Sequence, residues 1–138
     1  MIVLTKDNTE TPAAYSAGDD SDPVSVTFSL DGSGIPASVT LIPATDLFVW
    51  ANNHTATIGS YTGVTAEITG DDPGIVWELS LDGATEWSAA LTLTDFDVSA
   101  SFQALQIFAR ATATNDGSLE TNNYVAAKVT IAATERPL

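Results

Sequence analysis

Strict alternation of apolar and polar residues recurs along this chain and limits its fold more than any other feature. Val24, Val26, Phe28 and Leu30 fall on one face of an extended backbone, with Ser25, Thr27 and Ser29 on the other. Ile75, Trp77, Leu79 and Leu81 repeat the pattern against Val76, Glu78 and Ser80. Leu105, Ile107, Ala109 and Ala111 alternate with Gln106, Phe108, Arg110 and Thr112. Val125, Ala127, Val129 and Ile131 alternate with Tyr124, Ala126, Lys128 and Thr130. A side-chain period of two belongs to the pleated strand, where neighbours point to opposite faces. Runs that are apolar on one side predict antiparallel sheets with one face on a core and one face wet.

Shorter runs at 2–5, 39–42, 46–50, 55–58, 64–69 and 91–94 bring the expectation to about eight to ten short strands, the spacing of a sandwich or barrel. A turn is expected at Pro43-Ala44, and one turn of helix between Ser99 and Leu105. Residues 6–23 are polar, with Pro12, Pro23 and the Asp19-Asp20-Ser21-Asp22 cluster, and read as an arm or long loop outside the core. This divides the chain into residues 1–22, an edge strand and polar arm, and residues 23–138, one sandwich domain. A chain of 138 residues is the size of one domain and buries a core without metal or disulfide.

Ser-Leu-Asp-Gly occurs twice, at 29–32 and 80–83, each time between two apolar runs. A repeated strand–turn–strand hairpin accounts for this, because Asp and Gly tolerate the positive φ of tight turns. Calcium is the sharper alternative, but each loop offers one aspartate, too few oxygen ligands for that ion.

Cysteine is absent, so thiol chemistry is excluded. Eighteen acidic residues against four basic ones give a net charge of −14, which repels nucleic acid and anionic membrane. The opening Met-Ile-Val-Leu-Thr is too short for a signal-peptide core, and no run is long enough to span a bilayer, so synthesis in the cytoplasm is expected. The single histidine, His54, has no nucleophile or orienting acid marked beside it, and a turn position is the expectation. Asn53-His54-Thr55 fits a glycosylation sequon, which matters only in a secretory host. Carboxylate pairs such as Asp71-Asp72 and Asp95/Asp97 carry little information in so acidic a chain. No phosphate-cradling glycine loop is present. Trp50, Trp77 and Trp87 read as core or interface rather than as sugar platforms. Phe108 and Arg110 share the outward face of their strand, which suggests either a covered sheet surface or an aromatic–guanidinium stack.

Trp77-Glu78-Leu79-Ser80-Leu81-Asp82-Gly83, then Thr85-Glu86-Trp87-Ser88, then Ile107-Phe108-Ala109-Arg110-Ala111-Thr112 resemble the immunoglobulin-like domains of bacteria and phages. In those domains a W-x-x-S-x-D-G-x-x-x-W strand and turn precedes a hydrophobic-x-A-R-A strand, and a last alternating strand, here 124–131, closes the sheet. The resemblance covers residues 75–131 and lacks the cysteine pair of antibody domains. It implies an all-β, immunoglobulin-like antiparallel β-sandwich with an N-terminal arm. It further implies a structural role on the tailed-phage virion, as a capsid decoration or head-fibre protein, without enzymatic activity or cofactor. The expected partners are the capsid protein or other virion subunits, on the virion surface and in a homo-oligomer, with neither nucleic acid nor membrane involved. A carbohydrate- or surface-binding adhesin module is the alternative. The candidate partner-binding residues are Ile2, Val3, Leu4, Phe48, Trp50, Phe108 and Arg110. Strand addition by the arm is the expected docking mode, and removal of residues 1–22 is expected to leave the fold intact.

Overall fold

The computed structural model describes residues 1–15, 23–28, 39–41, 46–70, 72–113 and 123–138. The Asp19-Asp20-Ser21-Asp22 cluster, Leu30, the Pro43-Ala44 turn, Asp71 and the first Asp-Gly lie outside them, as do the side chains of Phe28, Tyr124 and Val125. The described residues form ten strands: β1 (Ile2–Thr5), β2 (Val24–Phe28), β3 (Val39–Leu41), β4 (Leu47–Asn52), β5 (Ile58–Gly70), β6 (Ile75–Ser80), β7 (Ala90–Thr92), β8 (Phe96–Asp97), β9 (Phe102–Ala113) and β10 (Asn123–Pro137). Among the described residues there is no helix. The expected turn of helix at 99–105 is absent, because Ser99 caps onto the Asp97 carboxylate at 3.0 Å and β9 opens at Phe102.

The strands form two five-stranded antiparallel sheets packed face to face, a β-sandwich. In the first sheet β9 is the spine. Its first half pairs with β4, which carries β1 on its other edge. Its last residues, Ala111 to Ala113, pair with both β3 and β6, which therefore flank it on opposite edges. In the second sheet the long pair β10–β5 is the spine, with β2 beside β10 and with β7 and β8 along the outer edge of β5. The long pair curves at a bulge, where Gly63 and Val64 oppose the single residue Ala133 between the Ala132 and Thr134 pairings. Gly63 takes φ +59°, the left-handed conformation that such bulges reserve for glycine.

Every-other-residue burial holds in both layers. Leu4, Val49, Trp77, Leu79, Ile107, Ala109 and Ala111 from the first sheet meet Val24, Val26, Tyr61, Val64, Ile68, Phe96, Ala127 and Val129 from the second in one continuous core. Trp77 crosses the gap and lies on Gly70, where a Cβ would sit 2.7 Å from its Cδ1. The alternation fails at the end of β6. Leu81 is 49% exposed and Ser80 fully buried, the reverse of the period-two reading, because the strand stops at Ser80 and a loop folds over it.

Two expectations are corrected. Residues 6–15 are no free arm: Lys6 N–H donates to the Ala13 carbonyl at 2.8 Å, Tyr15 N–H donates to Leu4 at 3.0 Å, and Tyr15 is 4% exposed in the core. Deleting residues 1–22 therefore removes Leu4, Thr5 and Tyr15 from the packed interior. The second Asp-Gly segment is also not a simple hairpin within one sheet. β2 lies in the second sheet and β3 in the first; β6 lies in the first and β7 in the second. The second Asp-Gly marks a crossing between layers; the first lies outside the described residues, between strands of different sheets.

Candidate interaction surface

The outer face of the first sheet gathers the residues that the sequence points to. Alternation along β1, β4 and β9 sends Val3, Thr5, Phe48, Trp50, Phe102, Gln106, Phe108 and Arg110 outward. Such a face would be wide and apolar, and the chain covers it at both ends.

At the β1 end the cover is a strap, residues 6–14, fixed by one carboxylate. Asp7 accepts from the Thr9 N–H at 3.2 Å, the Thr9 hydroxyl at 2.6 Å and the Ala13 N–H at 3.0 Å. These bonds, the Thr9 hydroxyl first, hold the Asp7 carboxyl below its usual range. The Trp50 indole N–H donates to the Thr9 carbonyl at 3.0 Å, and its ring stacks on Phe102 with centroids 5.8 Å apart. The strap does not close down completely. A groove of about 340 Å³ remains between it and the outer face of β1 and β4, bordered by Val3, Thr5, Glu10, Pro12, Trp50 and Asn52 among others.

At the β6 end the cover is the loop after the second Asp-Gly. Asp82 accepts from the Thr85 hydroxyl at 2.6 Å and from the Thr85 and Ala84 N–H groups at 2.8 and 2.9 Å. With the Ser80 hydroxyl, these donors push its carboxyl far below the usual range. Buried Ser80 accepts from the Gly83 N–H at 3.1 Å, and its single hydroxyl proton is shared between the Asp82 carboxylate at 2.8 Å and the Thr85 carbonyl at 2.7 Å. Gly83, at φ +72°, rests on the Phe108 ring, and Trp87 covers the Arg110 guanidinium at 4.5 Å. Arg110 in turn forms an ion pair with Glu78 at 2.9 Å. Of the two readings for Phe108 and Arg110, the covered sheet surface is present and this chain supplies the cover; the aromatic that stacks on the guanidinium is Trp87 of the covering loop.

The candidate residues thus separate by location. Leu4 is core and Ile2 packs against it, so the inward side of β1 serves the interior. Val3 and Trp50 border the groove. Phe48 lies half-buried between the two covers, and Phe108 and Arg110 lie under the second. Trp50 and Trp77 are buried and Trp87 gives one face to Arg110, in line with packing rather than with a sugar platform. Sequence reasoning missed Glu10 and Pro12, the wall of the groove, because strap residues show no periodicity.

His54 lies in an exposed turn, 53–57, where His54, Thr55 and Ala56 take φ of 46°, 59° and 63°. The turn closes through the Thr57 and Ile58 N–H groups onto the Asn53 carbonyl at 2.9 and 3.0 Å. The expected strand at 55–58 begins only at Ile58. Among the described residues no three acidic or histidine side chains group to hold a metal ion. Asp7, Asp72, Asp82 and Asp97 each accept a hydrogen bond from a backbone N–H two or three residues ahead, which is turn chemistry. Comparison with protein-family models, with curated proteins and with solved structures finds no match for this chain.

Proposed function

We propose that this protein is a non-enzymatic structural component of a tailed-phage virion, an immunoglobulin-like domain that decorates or stabilises the capsid through protein–protein contacts. One observation carries the reading. The residues of the phage-type pattern, scattered over 34 positions from Trp77 to Arg110, build a single contact unit. Ser80 and Asp82 shape the turn, Gly83 seats it on Phe108, and Trp87 closes over the Arg110–Glu78 pair. The pattern therefore has a structural reason to recur in domains of that type: it pins a layer-crossing loop to the sheet. The carboxylates engaged in turn bonds and the isolated His54 support a role without catalysis. The occupied indoles support protein contacts over sugar stacking.

On a lattice, many copies need only modest affinity each, and docking as a symmetric oligomer about a lattice axis fits such a role. The test is quantitative mass spectrometry of tailed-phage particles purified from cells that express this gene. The expected result is a fixed ratio of this chain to the major capsid protein that survives a density gradient. Presence in the lysate but absence from banded particles overturns the reading.

A further inference from the structure

We infer that the groove under the strap is a docking site for a basic, extended segment of a partner protein, seating one lysine or arginine. Three observations lead there. The groove is pre-formed, because its outer wall is fixed by the Asp7 bonds to Thr9 and Ala13, by the Lys6–Ala13 bond and by the Trp50 indole on Thr9. Its floor is apolar, with Val3 and Trp50 from the sheet facing Pro12 and Ala14 of the strap. Its one acidic side chain, Glu10, favours a cation, and the Met1 ammonium that also borders the groove has the Glu135 carboxylate as its neighbouring counter-charge. Trp50 and Thr5 commit their donors to the Thr9 and Asp7 carbonyls, at 3.0 and 2.8 Å, and among the described residues of the lining Glu10 is the single charged side chain. The Met1 amino group, which also borders the groove, donates to the Asn52 carbonyl at 3.4 Å and to the Tyr61 hydroxyl.

Lysine and arginine match this slot: their methylene stems cover apolar surface while the charged head stays at a polar rim. With four basic residues against eighteen acidic ones, the protein favours a basic partner over its whole surface. The groove gives that diffuse attraction one defined contact, which sets register. The inference deepens the assembly reading by naming the chemistry of the partner, and it rests on that reading for the partner being a protein.

The experiment titrates a capped octapeptide of alternating lysine and threonine into the full chain and follows the indole N–H resonances by NMR. Its counterpart with glutamate in place of lysine is the control. The expected result is a saturable shift of the Trp50 indole while Trp77 and Trp87 stay still, and no response to the acidic peptide. Glu10→Gln should weaken binding about three- to fivefold, the scale of one exposed ion pair. Glu67→Gln removes the same charge from the exposed face of the second sheet and should leave affinity unchanged. Val3→Lys, checked by thermal melting for an intact fold, fills the groove with a like charge and should lower affinity more than tenfold. Equal effects of Glu10→Gln and Glu67→Gln, or a Trp50 resonance that does not move, overturn the inference. A chain absent from virions that still binds the basic peptide in this way sinks the virion role and leaves the groove standing.

Discussion

Three glycines separate the two physical reasons for lacking a side chain, and alanine at each gives a graded test of the packing. Gly63 has φ +59° and nothing within 4 Å of its would-be Cβ, so its constraint is torsional alone. A left-handed non-glycine residue costs about 1–2 kcal/mol. Alanine returns about 0.4–1 kcal/mol by restricting the unfolded chain. Gly63→Ala should therefore destabilise by roughly 1 kcal/mol. Gly70 has no positive φ, but its Cβ would lie 2.7 and 2.9 Å from Cδ1 and Nε1 of Trp77. The buried indole cannot swing away, so over-packing of about 1–3 kcal/mol sets the cost.

Gly83 combines both constraints, with φ +72° and a Cβ that would lie 2.9 Å from Cγ and Cδ1 of Phe108. Adding the torsional and over-packing costs puts Gly83→Ala at about 2–4 kcal/mol. That is a large part of the 5–15 kcal/mol typical of a domain. Urea unfolding followed by tryptophan fluorescence measures all three, with an unchanged m-value as the check on two-state behaviour. Near-UV circular dichroism should also change for Gly83→Ala, whose loop carries Trp87, and for Gly70→Ala, whose Cβ meets the Trp77 indole, but not for Gly63→Ala. If Gly83→Ala proves as mild as Gly63→Ala, the loop does not sit on Phe108, and the covered face described above is wrong.

Tyr15→Ala empties a core position and should cost about 3–5 kcal/mol in the same assay, and deletion of residues 1–22 should abolish cooperative unfolding; a wild-type midpoint for the deletion would return 6–15 to the status of an arm. A double-mutant cycle between Trp87→Ala and Arg110→Ala should give a coupling of about 0.5–1 kcal/mol, and zero coupling would mean that the stack has no energetic weight. Asp7, Asp82 and Asp97 have carboxyl pKa values lowered by hydrogen bonds, so near their ordinary pKa the unfolded chain binds more protons than the folded one. Stability from these groups is complete well above about pH 4 and is lost as pH falls below it. Melting temperature should accordingly be level near neutrality and drop in acid, and Asp82→Asn should make the drop shallower; an unaltered acid slope in that variant would refute the assignment.

The layers were legible because burial and alternation share one period. Val26, Trp77, Leu79, Ile107, Ala109 and Val129 point inward as their spacing requires. What the spacing did not reveal lies where the period stops. Tyr15 reaches the core from a polar, proline-containing strap whose shape is set by one aspartate and its hydrogen bonds, so no alternation announces it. Ser80 is buried by a loop that returns over the outer face, a contact between residues distant in pattern. Phe108 and Arg110 were readable as an anomaly, a strand apolar on both sides, yet whether a partner or this chain covers them depends on where the 81–87 loop goes. The groove was invisible, since a gap has no sequence signal and its wall residues, Glu10 and Pro12, carry no period.

The twice-repeated Ser-Leu-Asp-Gly shows how far one-dimensional pattern reaches. A strand that turns back within a sheet and a strand that crosses to the facing sheet both keep their apolar side toward the single core between the layers. Either path yields an apolar run, a tight turn and a second apolar run. Alternation reports which face is buried and is silent on which sheet buries it. The second copy shows how the crossing is made. Leu79 and Ser88 exchange two backbone hydrogen bonds, 2.7 and 3.0 Å, which close the loop as a hairpin would. The chain then leaves the first sheet and pairs along β5 through β7. Trp87 and Gly83, fixed to Arg110 and Phe108 of the spine strand, hold that loop against the sheet it is leaving. A crossing loop without such anchors would be free to pair on with β6 as an ordinary hairpin. Those two contacts, beyond the Asp-Gly turn itself, therefore direct the chain from one layer to the other.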